Sequence, residues 1–373
     1  MSYFCRLIWF FAVLGTLLCS CGGRHHGDSR AEAGEPELFS VTERPQGGWT
    51  IVSVSPFDGS RDSLVVDHPL SRLIVMSTSH YGFLDAIGRT DIIVGVSGPD
   101  YIFADRLAAE SSDAERTIMT DVGYDSAPDY ERIVALRPEV VLTYAVSGVE
   151  SPFIVRLKQL GIKVLTVNEH LERHPLARAA YIRMFGALTG NMAEADSVLS
   201  VVRTNYSAIA ESISESGVTP RKVLLNIPYN DQWFVPASDN YLAVMIHDAG
   251  GEVLGCEEGK TASTVMSVEK AYSLSKEADC WLNVGWCSSE KDLLGVNPIF
   301  SDMLGRIKDN AAGMVPDGFP VVWNDNNRVN AKGGNDIWQG GVVRPDLVLR
   351  DLAGILHPTE ESYNNEIYYK PII

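Results

Sequence analysis

Aromatic and polar side chains follow several predicted strands, at positions from which a bound ligand could be reached. In the first half of the chain they are Ser79, His80, Tyr101, Tyr124 and Tyr144. In the second half they are Trp233, Trp286, Asn324, Arg328, Asn335 and Trp338. Loops at the carboxyl ends of parallel strands commonly carry ligand groups. Aromatic faces can cover a macrocycle or catecholate ring, and arginine can meet an anionic ligand. These residues therefore predict a small-molecule binding site.

The stretch 323–341 combines two tryptophans, five asparagines and an arginine with several glycines. A loop that serves structure alone rarely needs so many amide side chains beside two indoles. We therefore interpret this stretch as a loop that faces the ligand. The contacts it predicts are Asn324, Arg328, Asn335 and Trp338.

Sequence signatures of catalysis and of metal binding are missing. The sequence contains no Gly-x-Ser-x-Gly elbow, no P-loop, no Gly-x-Gly-x-x-Gly turn and no His-Glu-x-x-His pair. His80 could ligate iron or haem, or it could be an ordinary turn histidine. No second histidine or tyrosine lies at ligand spacing from it, which disfavours a site for a bare metal ion. The sequence thus predicts a binding protein without catalytic activity or resident cofactor.

Charge and cysteine content narrow the function further. The net charge of −17 argues against a nucleic-acid partner, because phosphate binding needs a basic surface. Cys256, Cys280 and Cys287 show neither zinc spacing nor a dense disulfide pattern. Cys280 and Cys287 could pair in an oxidising compartment or remain buried thiols.

The N-terminus has the features of a secreted and anchored protein. Arg6 precedes an apolar run, Leu7 to Leu18, which is shorter than the roughly 20 residues of a membrane-spanning helix. The stretch Leu18-Cys19-Ser20-Cys21, a large aliphatic residue and two small ones before a cysteine, resembles the lipobox of bacterial lipoproteins. We expect a signal peptide over 1–20, a lipidated Cys21 and a flexible tether over 21–45, which is rich in glycine and charge. The alternative is an ordinary signal peptide with incidental cysteines.

Strand and helix patterns alternate in two blocks separated by a long helical stretch. The first block contains the predicted strands 72–76, 92–96, 140–144 and 163–167. Helical spacing then runs from about 174 to 216, interrupted at Gly186 and Gly190. We therefore predict an α/β fold of two lobes, each a parallel-type sheet flanked by helices, joined by one long backbone helix with a cleft between the lobes. The predicted boundaries are 46–168, 169–218 and 219–373.

The order of several motifs resembles the class III, or helical-backbone, periplasmic binding proteins, which include siderophore, haem and vitamin B12 binders. The resemblance covers roughly residues 70–357. It is carried by the stretches 71–80, 84–88, 129–142, 157–165, 249–251 and 267–271. Tyr144 occupies the loop position at which the family's B12 binder carries an aromatic residue. The resemblance implies a monomer that binds a metal chelate between its lobes.

The resemblance also implies partners and a location. The cargo would be an iron siderophore, or alternatively cobalamin or haem, delivered to an ABC permease dimer with its ATPase. Glu131 and Glu269 match the acidic residues that dock on the permease, one per lobe. They could instead be helix-start residues, where negative charge is favourable. The implied location is the periplasm, with the membrane contacted only through the anchor at Cys21. A lipoprotein that scavenges without a transporter is the other alternative.

Overall fold

Short apolar strands form the two parallel sheets that carry the candidate site residues. The computed structural model describes residues 34–103, 119–359 and 366–373, and residues 34–373 pack as one unit. In the N-terminal lobe the sheet has the spatial order Val164–Thr166, Val140–Thr143, Leu73–Val75, Ile93–Val96, Thr120–Asp121, with all pairs parallel. In the C-terminal lobe the order is Gly251–Val253, Arg221–Leu225, Cys280–Leu282, Val322–Asn324, Lys370–Pro371, parallel except for the last pair. The expected signal peptide, residues 1–20, and the expected lipidation site, Cys21, lie outside the described residues.

The elements of the N-terminal lobe alternate between strand and helix after an antiparallel start. They are β1 (Phe39–Glu43), β2 (Trp49–Val54), β3 (Arg61–Val66), β4 (Leu73–Val75), α1 (Thr78–Ala86), β5 (Ile93–Val96), β6 (Thr120–Asp121), β7 (Gly123–Tyr124), β8 (Ala127–Pro128), α2 (Tyr130–Leu136), β9 (Val140–Thr143), α3 (Pro152–Gln159) and β10 (Val164–Thr166). All residues of β4 and β9 are buried. Such burial on both faces is expected of parallel strands that helices cover.

Three helices connect the lobes, and the C-terminal lobe repeats the alternation. The connecting helices are α4 (Pro175–Ala179), α5 (Ile182–Thr189) and α6 (Met192–Ser216). The C-terminal elements are β11 (Arg221–Leu225), β12 (Trp233–Val235), α7 (Tyr241–Asp248), β13 (Gly251–Val253), β14 (Thr264–Met266), α8 (Val268–Leu274), β15 (Cys280–Leu282), α9 (Glu290–Val296), α10 (Phe300–Ala311), β16 (Val322–Asn324), α11 (Gly340–Val343), α12 (Pro345–Leu356) and β17 (Lys370–Pro371). The predicted α/β fold of two lobes is confirmed.

The helical stretch predicted over 174–216 forms three helices, and only one of the two predicted breaks, the one at Gly190, separates two of them. Its 25-residue part, α6, is the long backbone helix that leads into β11. Gly190 ends α5 in the left-handed conformation, with φ 76°. Gly186, by contrast, lies inside α5, where an added Cβ would come within 2.8 Å of the Ala195 Cβ. This glycine therefore allows α5 and α6 to pack closely and does not break the helix.

The N-terminal antiparallel sheet, β1–β3, was not predicted. Residues 39–43, which the sequence analysis placed in the tether, form β1 and pair with β2. The Phe39 and Tyr181 rings pack with centroids 4.1 Å apart, and Ser53 donates to the Thr166 carbonyl at 2.7 Å. Buried positions alternate only briefly along β3, so the period-two signal of this sheet is weak.

Three further features of the described residues bear on the sequence predictions. Cys256, Cys280 and Cys287 are free thiols, and the last two are buried. Asp129 caps α2, and Pro345 begins α12. Among the described helices, none combines the length and apolar character that crossing a membrane requires.

Candidate ligand-binding cleft

A cavity of about 580 Å³ lies between the lobes, at the carboxyl ends of strands from both sheets. The N-terminal lobe contributes Thr78 and Tyr101 to its wall. The C-terminal lobe contributes Asn226, Pro236, Asn240, Tyr241, Leu242, Ser263, Asn283, Gly285, Asp325, Gly333, Gly334, Asn335 and Trp338. This volume lies within the range typical of small-molecule sites.

The strand ends determine which side chains reach the cavity. Asn226, Asn283 and Asp325 come directly after β11, β15 and β16. Asn226 and Asn283 have left-handed backbones, with φ 69° and 58°, which asparagine tolerates better than most residues. The Asn226 carbonyl also accepts a hydrogen bond of 2.8 Å from the Trp281 indole. Three neighbouring strands of one sheet therefore direct a polar residue toward the same space.

A set of amide contacts, the interlobe clamp, joins the C-terminal loop 328–341 to residues 100–103 of the other lobe. The Asn330 amide donates to the carbonyls of Asp100 at 3.0 Å and of Ile102 at 2.9 Å. The Gln339 amide donates to the Phe103 carbonyl at 2.6 Å and accepts from the Phe103 N–H at 3.0 Å. The clamp fixes Tyr101 against the wall that the C-terminal lobe provides.

Four of the predicted site residues lie at the cavity or at its edge. Tyr101, Asn335 and Trp338 line it. Tyr101 and Trp338 are 47% and 48% exposed, so about half of the surface of each residue is open to solvent. Trp286 is 68% exposed and follows the lining residue Gly285.

Tyr124 and Tyr144 lie outside the cavity wall. A side-chain hydrogen bond joins Tyr124 to Tyr101, which places Tyr124 just behind the lining. Tyr144 lines a separate depression of about 610 Å³ in the N-terminal lobe, together with Asp125 and Asn168.

Five other predicted contacts lie away from the cavity wall. Trp233 is fully buried, its indole donates to the Leu225 carbonyl at 2.7 Å, and its ring stacks on Trp281. The buried Asn324 amide donates to the carbonyls of Gly285 and Cys287. Their positions after predicted strands suggested the cleft, but both side chains point into the C-terminal lobe.

The remaining three are Ser79, His80 and Arg328. Ser79 is buried and bonds the Ser77 hydroxyl at 2.8 Å within the start of α1. Arg328 pairs with Asp336 at 2.7 Å and stacks over the Phe103 ring, so it supports the clamp. His80 is fully buried, and burial lowers its pKa to about 4, so its ring is neutral at pH 7.

The sequence analysis missed most of the polar wall. The missed residues are Thr78, Asn226, Asn240, Tyr241, Ser263 and Asn283, whereas Asp325 lies within the stretch 323–341 that was predicted to face the ligand. A usable signal was present, because Asn226 and Asn283 each follow a buried apolar strand directly. That signal could not separate them from Asn324, which has the same local context but is buried.

Asp325 is the residue whose charge dominates the cavity. It is partly buried, and desolvation raises the pKa of its carboxyl to about 6. Its backbone carbonyl accepts a hydrogen bond from the Asn335 amide at 2.9 Å. Across the part of the chain that the structure describes, no group of three or more His, Cys, Asp or Glu side chains is placed to hold a metal ion.

Comparison with known proteins identifies relatives of similar architecture. A family model described as periplasmic binding protein matches residues 73–303. An uncharacterised lipoprotein of Methanocaldococcus jannaschii is 30% identical over 306 residues, which cover 79% of this chain and 67% of that protein. A cobalamin-binding protein of Halobacterium salinarum is 24% identical over 206 residues, 55% of this chain and 52% of that one. This chain therefore spans about half the length of the second relative.

A solved structure shares the fold at low sequence identity. The periplasmic haem-binding protein of Pseudomonas aeruginosa matches with a TM-score of 0.54 and 18% identity. The match covers 78% of this chain and 94% of that protein. At this identity the similarity establishes the architecture alone.

The two predicted site tryptophans should differ sharply in their effect on stability. We expect Trp233→Ala to lower the free energy of unfolding by about 3–5 kcal/mol, because it empties a buried aromatic site. Trp286→Ala should change it by about 0.5 kcal/mol or less, because that side chain is mostly exposed. Urea unfolding of both variants measures the difference. Similar losses for both would contradict the placement of these side chains.

Asp325 should destabilise the empty protein at neutral pH. Its folded pKa, about 6, lies above the ordinary value of 3.8, so folding favours the protonated form. Its contribution to stability is therefore lost as pH rises from about 4 to 6. Asp325→Asn should be more stable than wild type by roughly 1–3 kcal/mol at pH 7.5, with a smaller gain at pH 4.5. Thermal melts at both pH values test this, with the exposed Asp317→Asn as control.

Proposed function

Because the chain belongs to the class III periplasmic binding proteins, we propose that it is the substrate-binding lipoprotein of an ABC importer. In this role the protein captures a metal chelate in the interlobe cavity. It then delivers the chelate to a permease dimer, and the ATPase of the importer drives transport. The observation that carries the proposal is the cavity itself, to which strand ends of the C-terminal sheet and two residues of the N-terminal lobe contribute.

The wall of the cavity is suited to binding a ligand without catalysing a reaction. Asparagine amides can accept and donate hydrogen bonds at the polar edge of a ligand. The rings of Tyr101, Tyr241 and Trp338 can cover its apolar faces. The metal ion arrives inside its chelate, so the protein needs neither a resident cofactor nor metal ligands of its own. An iron siderophore remains the first candidate, with corrinoids and haem as the alternatives.

Glu131 and Glu269 support delivery to a permease. Each is exposed and lies in the first turn of a seven-residue helix, α2 or α8. The strands that follow, β9 and β15, each pair with the first parallel strand of their lobe, β4 or β11. A hydrogen bond from Ser267 keeps the pKa of Glu269 below its ordinary value. We propose that these two carboxylates, at equivalent places in the two lobes, dock on basic groups of the permease.

The docking proposal predicts a loss of transport without a loss of binding. The double variant Glu131→Ala/Glu269→Ala should take up labelled chelate roughly 10-fold more slowly in cells that lack the native copy, because two exposed charge contacts are removed. Its Kd for the chelate, from tryptophan fluorescence, should equal that of wild type.

Glu194→Ala is the matched control, since Glu194 is also an exposed first-turn glutamate, on α6. It should transport normally. Normal uptake by the double variant would contradict the docking role of these two carboxylates.

We propose that Cys21 carries the lipid anchor and holds a monomer at the periplasmic face of a membrane. Several acyl chains on one cysteine give stable anchoring, which one chain does not.

Cys21→Ala should abolish labelling by radioactive palmitate and release the protein from the membrane fraction. Cys19→Ala is the control, two residues away, and should leave both the labelling and the membrane association unchanged. Retention of the label in Cys21→Ala would show that another residue is modified.

A further inference from the structure

We propose that the cavity selects uncharged or positively charged chelates over anionic ones, and that Asp325 imposes this selection. The inference rests on the proposed function and assigns a chemical class to its ligand. The class comprises metal chelates with a neutral periphery of amide, hydroxyl or hydroxamate groups. Corrinoids and ferric trihydroxamates share this chemistry.

The charges of the cavity wall point to this class. Among the described residues that line the cavity, Asp325 is the only one with an ionisable acid or base other than the tyrosines. The described wall contains neither lysine nor arginine nor histidine. A site for carboxylates or catecholates normally offers cationic donors, and the described wall offers none.

Two arginines lie behind the cavity wall, and the guanidinium of each contacts other side chains there. Arg328 forms its ion pair with Asp336 and stacks on Phe103. Arg178 is 7% exposed, and its guanidinium lies 3.8 Å from the centroid of the Tyr241 ring. The Tyr241 side chain, which lines the cavity, thus stands between this guanidinium and the ligand space.

Asp325 has no salt bridge among the described residues. Desolvation has the largest effect on its carboxyl and raises the pKa of that group to about 6. A buried carboxylate is costly unless a donor or a positive charge meets it. A ligand that brings an N–H, an O–H or a cation to Asp325 removes this cost, whereas an anionic ligand adds a like-charge repulsion.

The amide side chains of the wall suit a neutral partner. An amide has two N–H donors and an oxygen with two lone pairs. Asn240 accepts from the Leu242 N–H and donates to the Thr261 carbonyl, and Asn335 accepts from the Ile337 N–H and donates to the Asp325 carbonyl. Each therefore keeps one N–H and one lone pair for a ligand, so the wall offers donors and acceptors in balance.

The test compares four chelates on the full-length protein in detergent, followed by tryptophan fluorescence and calorimetry. Cyanocobalamin and a neutral ferric trihydroxamate represent the proposed class. A ferric tris-catecholate, which carries three negative charges, and haemin, which carries two propionates, represent the excluded one. We expect at least one neutral chelate to bind ~100-fold more tightly than either anionic chelate, as like-charge contacts at interfaces are strongly unfavourable.

Asp325→Asn keeps the shape of the side chain and removes its charge. It should narrow the ratio between neutral and anionic Kd values by ~10-fold or more, while Asp317→Asn leaves the ratio unchanged. Thermal melts verify that both variants fold. Which neutral chelate binds distinguishes a corrinoid from a hydroxamate cargo.

Three results would overturn the inference. Binding of an anionic chelate as tightly as the neutral ones, or a ratio unaffected by Asp325→Asn, would refute the charge selection and leave the binding function intact. Failure of all four chelates to bind would refute metal-chelate capture itself.

Discussion

The interlobe clamp is the contact on which the site depends. Two amide side chains of the C-terminal loop, Asn330 and Gln339, bond the backbone of residues 100–103 in the other lobe. Backbone groups away from water must be paired. The bonds to Ile102 and Phe103 satisfy partly buried groups, and together with the bond to Asp100 they locate the segment. Tyr101 consequently faces the polar wall that the C-terminal strands supply. Together with α6 as the covalent connection, the clamp gives the cavity a defined shape before any ligand arrives, and preorganisation of this kind lowers the cost of binding.

The same cavity shows how a binding site conflicts with stability. The core of each lobe buries apolar strands and aromatic rings, of which Trp233, Trp281 and Trp323 are among the largest. At the cleft the chain instead holds two asparagines in the left-handed conformation and a desolvated carboxylate. Each of these features is unfavourable in the empty protein. Sites of this kind persist because the surrounding fold is stable enough to hold them, and a ligand can then use the unsatisfied groups.

The two lobes repeat one arrangement with different surroundings. In each, a capped helix carries an exposed first-turn glutamate and leads into a strand beside the first parallel strand. The caps differ, Asp129 in one lobe and Ser267 in the other, yet each satisfies a backbone N–H three residues later. The cleft is asymmetric by contrast, since the C-terminal lobe supplies most of its described wall. Such a protein can present the same two outer glutamates to one kind of partner, while the residues of the cleft wall differ from one ligand to another.

The amino-acid sequence by itself determined the α/β class, the two lobes and most of the elements. Buried strands such as β9, helix caps such as Asp129 and helix stops such as Gly190 act over a few residues, and local patterns record them. It also indicated Tyr101, Asn335 and Trp338 as cleft residues. Only the tertiary structure separated Asn283, at the cavity, from Asn324, in the interior, because in the sequence both follow a short apolar run. Whether such a side chain meets a ligand or a backbone carbonyl depends on which loop packs beside it, and here that loop comes from about 40 residues away. The charge of the cavity follows the same logic, since it depends on which of the many charged side chains the fold brings to the wall.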